Sequence, residues 1–446
     1  MLTTEKLKNC HHVHFVGIGG VGTSALAQWL HMQGKKVTGS DRTKSVFTDK
    51  LEGIGIKIDI PYAPDQVHLC DLLVTNSAIS DDDSEVLLAK SLGVPVVTRS
   101  QLLGVVFDGF AKNVAVCGMH GKTTTSGMLA HCLCVAKKDP TAFVGGECHG
   151  FGNCLYGKSD FCVAEACEYK ANFLTMHPYV TCVLNIDHDH PDFFKDKRQV
   201  VEVFSCFAKQ TKSSGVVVAN GDQKETRLLA DVTFGFGKNN DYQVQNLSQK
   251  GGVYDFCVYK KGKPFCKVSL SVPGLHNVYN ALCVVATLDF LGIPPDDICR
   301  GITTFEGVDR RCTVYKGKTK VVADYAHHPC EIKSFLNTIK HMGFDRTFLV
   351  FQPHTYTRTQ ALFDSFVQEL VADEIFVLPT YSARENKIEG CDGIDLATAL
   401  QKQGKKATFA HDRQNLAQLL QKNTNGNDVI LLVGAGDVDK IKDLLM

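Results

Sequence analysis

The sequence carries no excess of charge of either sign. Its 446 residues contain 48 Lys and Arg against 48 Asp and Glu, so the formal net charge is zero. Proteins that bind nucleic acid or an anionic membrane surface usually display a basic excess. We therefore expect no nucleic-acid partner, although single loops of a neutral protein can still bind nucleotides.

The sequence also lacks a long apolar run. No stretch approaches the roughly 20 apolar residues that a membrane-spanning helix needs. The first residues, MLTTEK, lack the apolar core of a signal peptide. We therefore expect a cytoplasmic protein without membrane insertion, and either a monomer or a homodimer.

Metal-binding cysteine motifs are missing as well. The chain has 18 cysteines, but no two of them form a C-x-x-C pair, and they are scattered singly, mostly inside apolar runs. A zinc site is therefore not expected. Because the chain is large and lacks a secretory start, we expect buried, reduced thiols rather than a disulfide framework.

Length and pattern together predict three α/β domains. A chain of 446 residues is too long for one compact core. Short β-rich runs alternate with helical patterns in the first part, again from residue 113 and again from residue 321, which predicts parallel sheets covered by helices. Residues 235–270 change to short alternating runs, which predicts a small β insertion. We place the domains at 1–110, 111–307 and 308–446.

The most informative motif is the loop GMHGKTT, which follows a β-rich run and precedes a helical one. Amides of a glycine turn and of a helix start attract phosphate oxygens, and the lysine adds positive charge. A hydroxyl directly after the lysine suits Mg²⁺. The common spacing G-x-x-x-x-G-K-[ST] fails at Val116, because this loop is two residues tighter. We assign the phosphates of ATP to Gly118, Met119, His120, Gly121, Lys122, Thr123 and Thr124.

A second glycine loop lies near the start of the chain. Residues 17–22 match G-x-G-x-x-G, and Ser40-Asp41 follows about 20 residues later, which is the dinucleotide fingerprint. A helix N-terminus, however, requires only a phosphorylated ligand. The residues alone leave two alternatives open, which are NAD and another diphosphate such as a UDP-sugar.

Two polar segments follow β-rich runs of the middle part. Residues 164–168 read AEACE, and residues 185–192 read NIDHDHPD. Carboxylates and histidines at strand ends can reach a cation held by a phosphate loop. A single acid would more simply be a solvated loop charge, but two such segments beside a phosphate loop favour metal binding.

The last third of the chain adds three polar segments. They are Arg310-Arg311, DYAHHP at residues 324–329 and HTYTR at residues 354–358. Arginine can clamp a phosphate during transfer, although a surface basic pair is an equally simple interpretation. The paired histidines could bind a metal, but the sequence offers no third ligand at a useful spacing.

These motifs together resemble the Mur ligases, and the similarity spans essentially the whole chain. It rests on both glycine loops, on Glu165-Ala166 and Asp189-His190, and on the segments PGLHNVYN, RR, DYAHHP, FQPHTYTRT and GAGD. The short phosphate loop is typical of the family. The His-His-Pro and Gln-Pro-His segments indicate the branch that adds L-alanine and its tripeptide-adding relative.

The resemblance implies a central P-loop-type ATP domain, with a mainly parallel sheet, between two Rossmann-like domains. It makes the first glycine loop the seat of a UDP-sugar rather than NAD. The implied UDP-sugar residues are Gly17, Ile18, Gly19, Gly20, Gly22, Ser40, Asp41, Ser77, Ala78 and Arg99. ATP would also contact His276, Asn277, Asn280 and Arg311. The implied Mg²⁺ ligands are Thr123, Glu165 and His190. The implied amino-acid residues are Tyr325, His327, His328 and Arg358, and the implied catalytic residues are Lys122, Glu165, His190, Arg311, Asp324 and His327.

The implied reaction belongs to peptidoglycan precursor synthesis. The lactyl carboxylate of UDP-N-acetylmuramate would attack ATP to give an acyl phosphate, which the amine of L-alanine would then attack, with Mg²⁺ as cofactor. Ligation of a preformed tripeptide is the alternative within the family. An NAD-dependent dehydrogenase, which leaves the lysine loop unexplained, and a non-catalytic nucleotide-binding regulator are alternatives from other classes.

Overall fold

The structure is a computed structural model of the chain. It describes residues 2–62, 64–187, 189, 193–383 and 385–446. Three separate β-sheets with helices packed on them follow one another along the chain, as the α/β prediction required. We propose the domain limits 1–110, 111–307 and 308–446, because the sheets occupy residues 12–98, 112–269 and 313–433. Within the part of the chain that the structure describes, no helix is both long and apolar enough to cross a bilayer.

The first sheet has five parallel strands in the order β3-β2-β1-β4-β5. The order reverses beside β1, and such a switch point opens a crevice at the carboxyl ends of the strands. All five residues of β1 are buried, so the loop that follows this strand begins at a fixed position in the core. The strands are β1 (His12–Val16), β2 (Lys36–Ser40), β3 (Lys57–Asp59), β4 (Leu72–Thr75) and β5 (Val96–Thr98). The helices are α1 (Thr4–Asn9), α2 (Val21–Met32), α3 (Val46–Gly53), α4 (Ser84–Ser91) and α5 (Arg99–Asp108), with a 3₁₀ helix at Pro64–Leu69.

The second sheet has ten strands in the order β15-β14-β13-β12-β11-β10-β6-β9-β7-β8. Its central strands are parallel, and β6 lies between β10 and β9. The strands are β6 (Lys112–Cys117), β7 (Thr141–Cys148), β8 (Gly152–Leu155), β9 (Phe161–Glu165), β10 (Val180–Val183), β11 (Val216–Asn220), β12 (Val232–Gly235), β13 (Tyr242–Lys250), β14 (Val253–Lys260) and β15 (Lys263–Ser269). The helices are α6 (Lys122–Val135), α7 (Lys197–Lys209), α8 (Lys224–Arg227), α9 (Leu275–Phe290) and α10 (Pro295–Thr304), with a 3₁₀ segment at Tyr169–Thr175.

The small β insertion expected at residues 235–270 is confirmed as strands β13, β14 and β15. Strand β13 pairs in parallel with β12 and in antiparallel with β14, so three strands extend one edge of the central sheet. Sequence reasoning missed the opposite edge, where β7 and β8 form an antiparallel hairpin. The two strands are joined by residues 149–151, and neither strand has the regular apolar-polar alternation that would predict it from sequence.

The third sheet has six strands in the order β16-β17-β21-β18-β19-β20. All pairs are parallel except β16 with β17. The strands are β16 (Thr313–Tyr315), β17 (Lys320–Asp324), β18 (Thr347–Phe351), β19 (Glu374–Val377), β20 (Ala407–Phe409) and β21 (Val429–Val433). The helices are α11 (Pro329–Lys340), α12 (Tyr356–Ala361), α13 (Phe363–Glu369), α14 (Gly393–Lys402), α15 (Arg413–Asn423) and α16 (Lys442–Leu445), with a 3₁₀ helix at Val438–Ile441.

Candidate active site

The phosphate loop lies between β6 and α6, at the centre of the second sheet. Gly118 and Gly121 have φ angles of +143° and +85°, in the region that only glycine adopts at low cost. A Cβ at Gly121 would also lie 2.7 Å from Asn280 Oδ1. Gly121 is the N-cap residue of the 14-residue helix α6. It has no side chain that could accept hydrogen bonds from the first N–H groups of this helix. The backbone conformation fits the anion cradle that the spacing predicts, and its role in binding ATP stays a prediction.

The side chain of Lys122 folds back over this loop. Its Nζ donates to Gly118 O (2.6 Å) and Met119 O (3.2 Å) and contacts Glu168 Oε1 (3.0 Å). Burial alone would lower the pKa of Lys122, but the carboxylates of Glu168 and Glu165 outweigh burial and raise that pKa above its ordinary value. The ammonium is therefore charged and held at the place where phosphate oxygens would enter the loop.

Two of the predicted Mg²⁺ ligands, Thr123 and Glu165, contact each other beside the loop. Thr123 Oγ1 donates to Glu165 Oε2 (2.9 Å), and the same oxygen accepts the N–H of Gly145 (3.0 Å). Mg²⁺ usually takes one or two protein oxygens and completes its shell with phosphate and water, so this pair fits the predicted metal. Within the described residues no group of three His, Cys, Asp or Glu side chains is close enough to hold a metal without substrate. His190, the third predicted ligand, lies outside the described residues.

A cavity of about 300 Å³ opens from the loop towards α9 and the third sheet. His276, Asn277 and Asn280 line it, as do Thr123, Thr124 and Arg311. Asn280 Nδ2 donates to Asn277 Oδ1 (2.9 Å), and His276 Nδ1 hydrogen-bonds Ser334 Oγ (3.0 Å). Burial lowers the pKa of His276 to about 4, so this ring is neutral at pH 7. The cavity thus brings all three predicted nucleotide residues of α9 to the phosphate loop.

Arg310 and Arg311 have different surroundings. Both guanidinium groups lie over the ring of Tyr325, at 4.8 and 5.0 Å from its centroid. Arg310 Nη2 donates to the carbonyls of Gly434 (2.6 Å) and Gly436 (2.9 Å), which ties it to the loop after β21. Arg311 faces the cavity. Arg311 is therefore the member of the pair that lies in the cavity, and its contact with a phosphate stays a prediction, whereas Arg310 is bound to the loop after β21.

Asp324 ends β17 and also lines the cavity. Its Oδ1 accepts the N–H of Ala326 and its Oδ2 the N–H of Cys312, both at 2.8 Å. Burial raises the pKa of Asp324 to about 6, and the charge of Arg311 opposes this shift. A carboxylate with this pKa can accept a proton near neutral pH.

The two adjacent histidines share one carboxylate, Glu331. Its Oε2 accepts the backbone N–H groups of His327 (3.1 Å) and His328 (3.3 Å). Its Oε1 accepts from the ring Nδ1 of His120 in the phosphate loop (3.0 Å). Burial lowers the pKa of His327 to about 4 and also lowers the pKa of His328. Sequence reasoning missed Glu331, although its place at the third position of α11 after His328 is typical of a capping box.

Arg358, one of the predicted amino-acid residues, forms an ion pair with Asp189 of the middle part of the chain. Its Nε and Nη2 lie 3.3 and 3.2 Å from Asp189 Oδ1, and both side chains are less than a tenth exposed. His354 lies beside it, with Nδ1 3.4 Å from Arg358 Nη1, and its ring stacks on Tyr381. Burial lowers the pKa of His354 to about 3. His354 and Asp189 were read only as parts of motifs, and the structure places both beside His327.

The amino-terminal glycine loop lies at the carboxyl end of β1 in the first sheet. Gly17 (φ +73°) turns the chain after β1, and the N–H of Gly19 donates to Asp41 Oδ2 (2.8 Å). A Cβ at Gly22 would lie 3.0 Å from Arg99 Nη1. Asp41 and Arg99 therefore lie against the loop at its two ends. Ile18 and Gly20 belong to the same turn.

Three other predicted UDP-sugar residues lie near this loop in different settings. Ser40 is fully buried, and its hydroxyl donates to Glu85 Oε2 (2.5 Å), so this group is engaged inside the domain. Ser77 and Ala78 are in an exposed turn after β4. Asn76, which sequence reasoning missed, ties this turn to the loop because its Nδ2 donates to Gly17 O (3.3 Å). The UDP-sugar roles of these residues stay predictions.

Comparison with known proteins identifies the class. The chain matches the Mur ligase family, catalytic domain over residues 12–111, the Mur ligase middle domain over 116–288 and the Mur ligase, glutamate ligase domain over 310–436. The chain belongs to the Mur ligase family.

The relatives narrow this class to one kind of ligase. The UDP-N-acetylmuramate–L-alanine ligase of Clostridium perfringens is 38% identical over 446 residues, or 97% of each chain. The enzyme of that name from Caldanaerobacter subterraneus is 38% identical over 449 residues, or 98% of this chain and 97% of its own. The solved UDP-N-acetylmuramate-alanine ligase of Thermotoga maritima is 31% identical, with a TM-score of 0.85 over 97% of this chain and 98% of its own. A murein peptide ligase from Psychrobacter arcticus, at 21% identity and a TM-score of 0.74 over 98% of each chain, shares the fold.

Proposed function

We propose that this chain joins L-alanine to the lactyl carboxylate of UDP-N-acetylmuramate with cleavage of ATP to ADP and phosphate. Relatives of that name over nearly the full length support the substrates. One structural observation carries the chemistry. Asp324 and Glu331 of the third domain line the same cavity as the phosphate loop, and Glu331 contacts His120 of that loop at 3.0 Å. A phosphorylated carboxylate formed at the loop would thus lie within reach of an amine.

Activation of the carboxylate falls to the residues of the phosphate loop. A carboxylate is a poor electrophile, and phosphorylation gives it a good leaving group. The Lys122 ammonium and the amides of Gly118–Thr123 would bind the β- and γ-phosphates, and Arg311 would stabilise the charge on the phosphate that is being transferred. Thr123 and Glu165 would hold Mg²⁺, which offsets negative charge on the phosphates. ATP binding by His276, Asn277 and Asn280 would fix the nucleotide at the other end of the cavity.

Residues of the third domain would bind the amino acid and accept a proton from its ammonium group. The ammonium of alanine must lose a proton before it can attack the acyl carbon. We assign this proton to Asp324, because it lines the cavity and burial raises its pKa to about 6, whereas burial lowers the pKa values of His327 and His328. His327 has a pKa of about 4 and Arg358 is held by Asp189, so these two residues would position the amino acid. Tyr325 and His328 complete the predicted amino-acid site.

An isotope experiment tests this function. With ¹⁸O in the lactyl carboxylate, the acyl-phosphate route transfers one labelled oxygen to the released phosphate for each peptide bond formed. The expected result is labelled phosphate with L-alanine and no phosphate release from Lys122→Ala, which should still bind the UDP-sugar at the separate amino-terminal loop. Unlabelled phosphate, or normal turnover by Lys122→Ala, would reject the proposal. A tripeptide that replaces alanine at equal rate would favour the other branch.

A further inference from the structure

Glu331 occupies a junction that none of the assigned substrate contacts explains. It lies at the third position of α11 in the last domain, and each of its two oxygens has a different set of partners. Oε1 accepts from His120 Nδ1, 211 residues away in the phosphate loop. Oε2 accepts the N–H groups of His327 and His328 in the amino-acid segment. The carboxylate of Glu331 therefore links the proposed phosphate-binding loop, Gly118–Thr124, to the proposed amino-acid segment at residues 325–328.

The charges around this junction show that the link is electrostatic as well as geometric. Burial works against the charged form of Glu331, yet His327 and His120 hold its pKa well below the ordinary value. Burial likewise opposes protonation of His120, but Glu331 outweighs burial and raises the pKa of His120. Among the described residues, the other charged or titratable groups that face His120 are Lys122, Asp187, Asp189, His276 and His328.

We propose that Glu331 is a positioning residue that couples the two halves of the site. Its carboxylate fixes the ring of His120 against the phosphate loop and, through the N–H groups of His327 and His328, fixes the turn that precedes α11. The loop is thus held in its phosphate-binding form only when the third domain is docked. This inference rests on the proposed function for its kinetic consequences, although the contact itself does not depend on the substrate.

The substitution Glu331→Gln tests the coupling with little change of shape. A glutamine has one acceptor oxygen, so it cannot accept from His120 on one side and from two N–H groups on the other. Loss of a charged, buried hydrogen-bond acceptor is expected to lower kcat by about tenfold to a hundredfold and to raise KM for alanine. ADP affinity in the absence of other substrates should fall by about threefold to tenfold, because the phosphates of ADP would occupy the loop that Glu331 holds. The matched control is Glu369→Gln. It removes a carboxylate at the end of α13 that pairs with the exposed Lys333 (2.9 Å), and Lys333 lies on α11, the helix that carries Glu331.

Two measurements decide the inference. In the full chain without ligands, ¹⁵N-histidine NMR should show that Glu331→Gln lowers the pKa of His120, whereas Glu369→Gln leaves it unchanged. In turnover assays, the double variant Glu331→Gln, His120→Gln should have a kcat no lower than that of the slower single variant. Both substitutions remove the same contact between His120 and Glu331, so the second one should add no further loss.

An unchanged His120 titration in Glu331→Gln overturns the inference, and so do losses in the double variant that multiply. If the unsubstituted protein fails to ligate alanine, the proposed function is rejected. The titration then decides alone whether Glu331 holds the phosphate loop.

Discussion

Replacement of Gly121 by alanine tests whether the tight phosphate loop depends on its glycine. Gly121 has a φ of +85°, and a Cβ there would lie 2.7 Å from Asn280 Oδ1 and 3.3 Å from Leu184 Cδ1. Asn280 is buried, and its amide donates to Asn277, so it cannot move away without loss of that bond. The left-handed conformation costs a non-glycine residue roughly 1–2 kcal/mol. Overpacking against Asn280 adds roughly 1–3 kcal/mol.

The matched control is Gly343→Ala. Gly343 has a φ of +77°, is exposed in the turn after α11 and has nothing within 4 Å of an added Cβ, so it meets only the first cost. Both variants are compared by denaturant unfolding and by calorimetric titration with ADP. We expect Gly121→Ala to lose about 1–3 kcal/mol more stability than Gly343→Ala and to bind ADP at least about tenfold more weakly. Equal stability losses, or ADP affinity like that of the unsubstituted protein, would refute the assigned geometry.

Three further predictions concern charged groups of the site. Lys122→Met leaves the buried Glu168 without the ammonium that contacts it, so we expect a loss of about 3–5 kcal/mol in unfolding free energy. The double variant Lys122→Met, Glu168→Gln should regain most of this stability in the same unfolding assay but no ligase activity; a double variant as unstable as the single one would contradict the pairing. His354 has a pKa lowered to about 3, so the unfolded chain binds a proton below pH 6.5 that the folded protein does not. Stability should therefore fall as pH drops from 6.5 towards 4, and His354→Gln should flatten that slope by about 1.4 kcal/mol per pH unit, which denaturant unfolding at several pH values measures. An unchanged slope would mean that His354 is protonated in the folded state. If Asp324 accepts the amine proton, kcat/KM for alanine should rise with pH through about 6. A rise centred near pH 4 would instead indicate His327.

The local motifs were predictable because their constraints lie within a few residues of sequence. The loop Gly118–Thr124 needs glycine at two backbone positions and a helix directly after, and both requirements can be read from the spacing alone. The same holds for the loop after β1. The three parallel sheets followed from the alternation of β-rich and helical runs, which depends on local periodicity.

The partners of the site were not predictable, because they are distant in sequence. Glu331 lies 211 residues from His120, and Arg358 lies 169 residues from its partner Asp189. Nothing near either residue indicates which carboxylate meets which base. The different surroundings of Arg310 and Arg311 likewise depend on β21, whose loop supplies the carbonyls that bind only the first of them.

We expect this chain to cleave ATP only when it joins the amine of L-alanine to the carboxylate of UDP-N-acetylmuramate. The most direct measurement is ADP release with UDP-N-acetylmuramate and each amino acid in turn, together with detection of the product by mass. The account predicts ADP release only when UDP-N-acetylmuramate and L-alanine are both present, with one UDP-N-acetylmuramoyl-alanine formed for each ADP. ADP release at the same rate without alanine, or none under any combination, would contradict it.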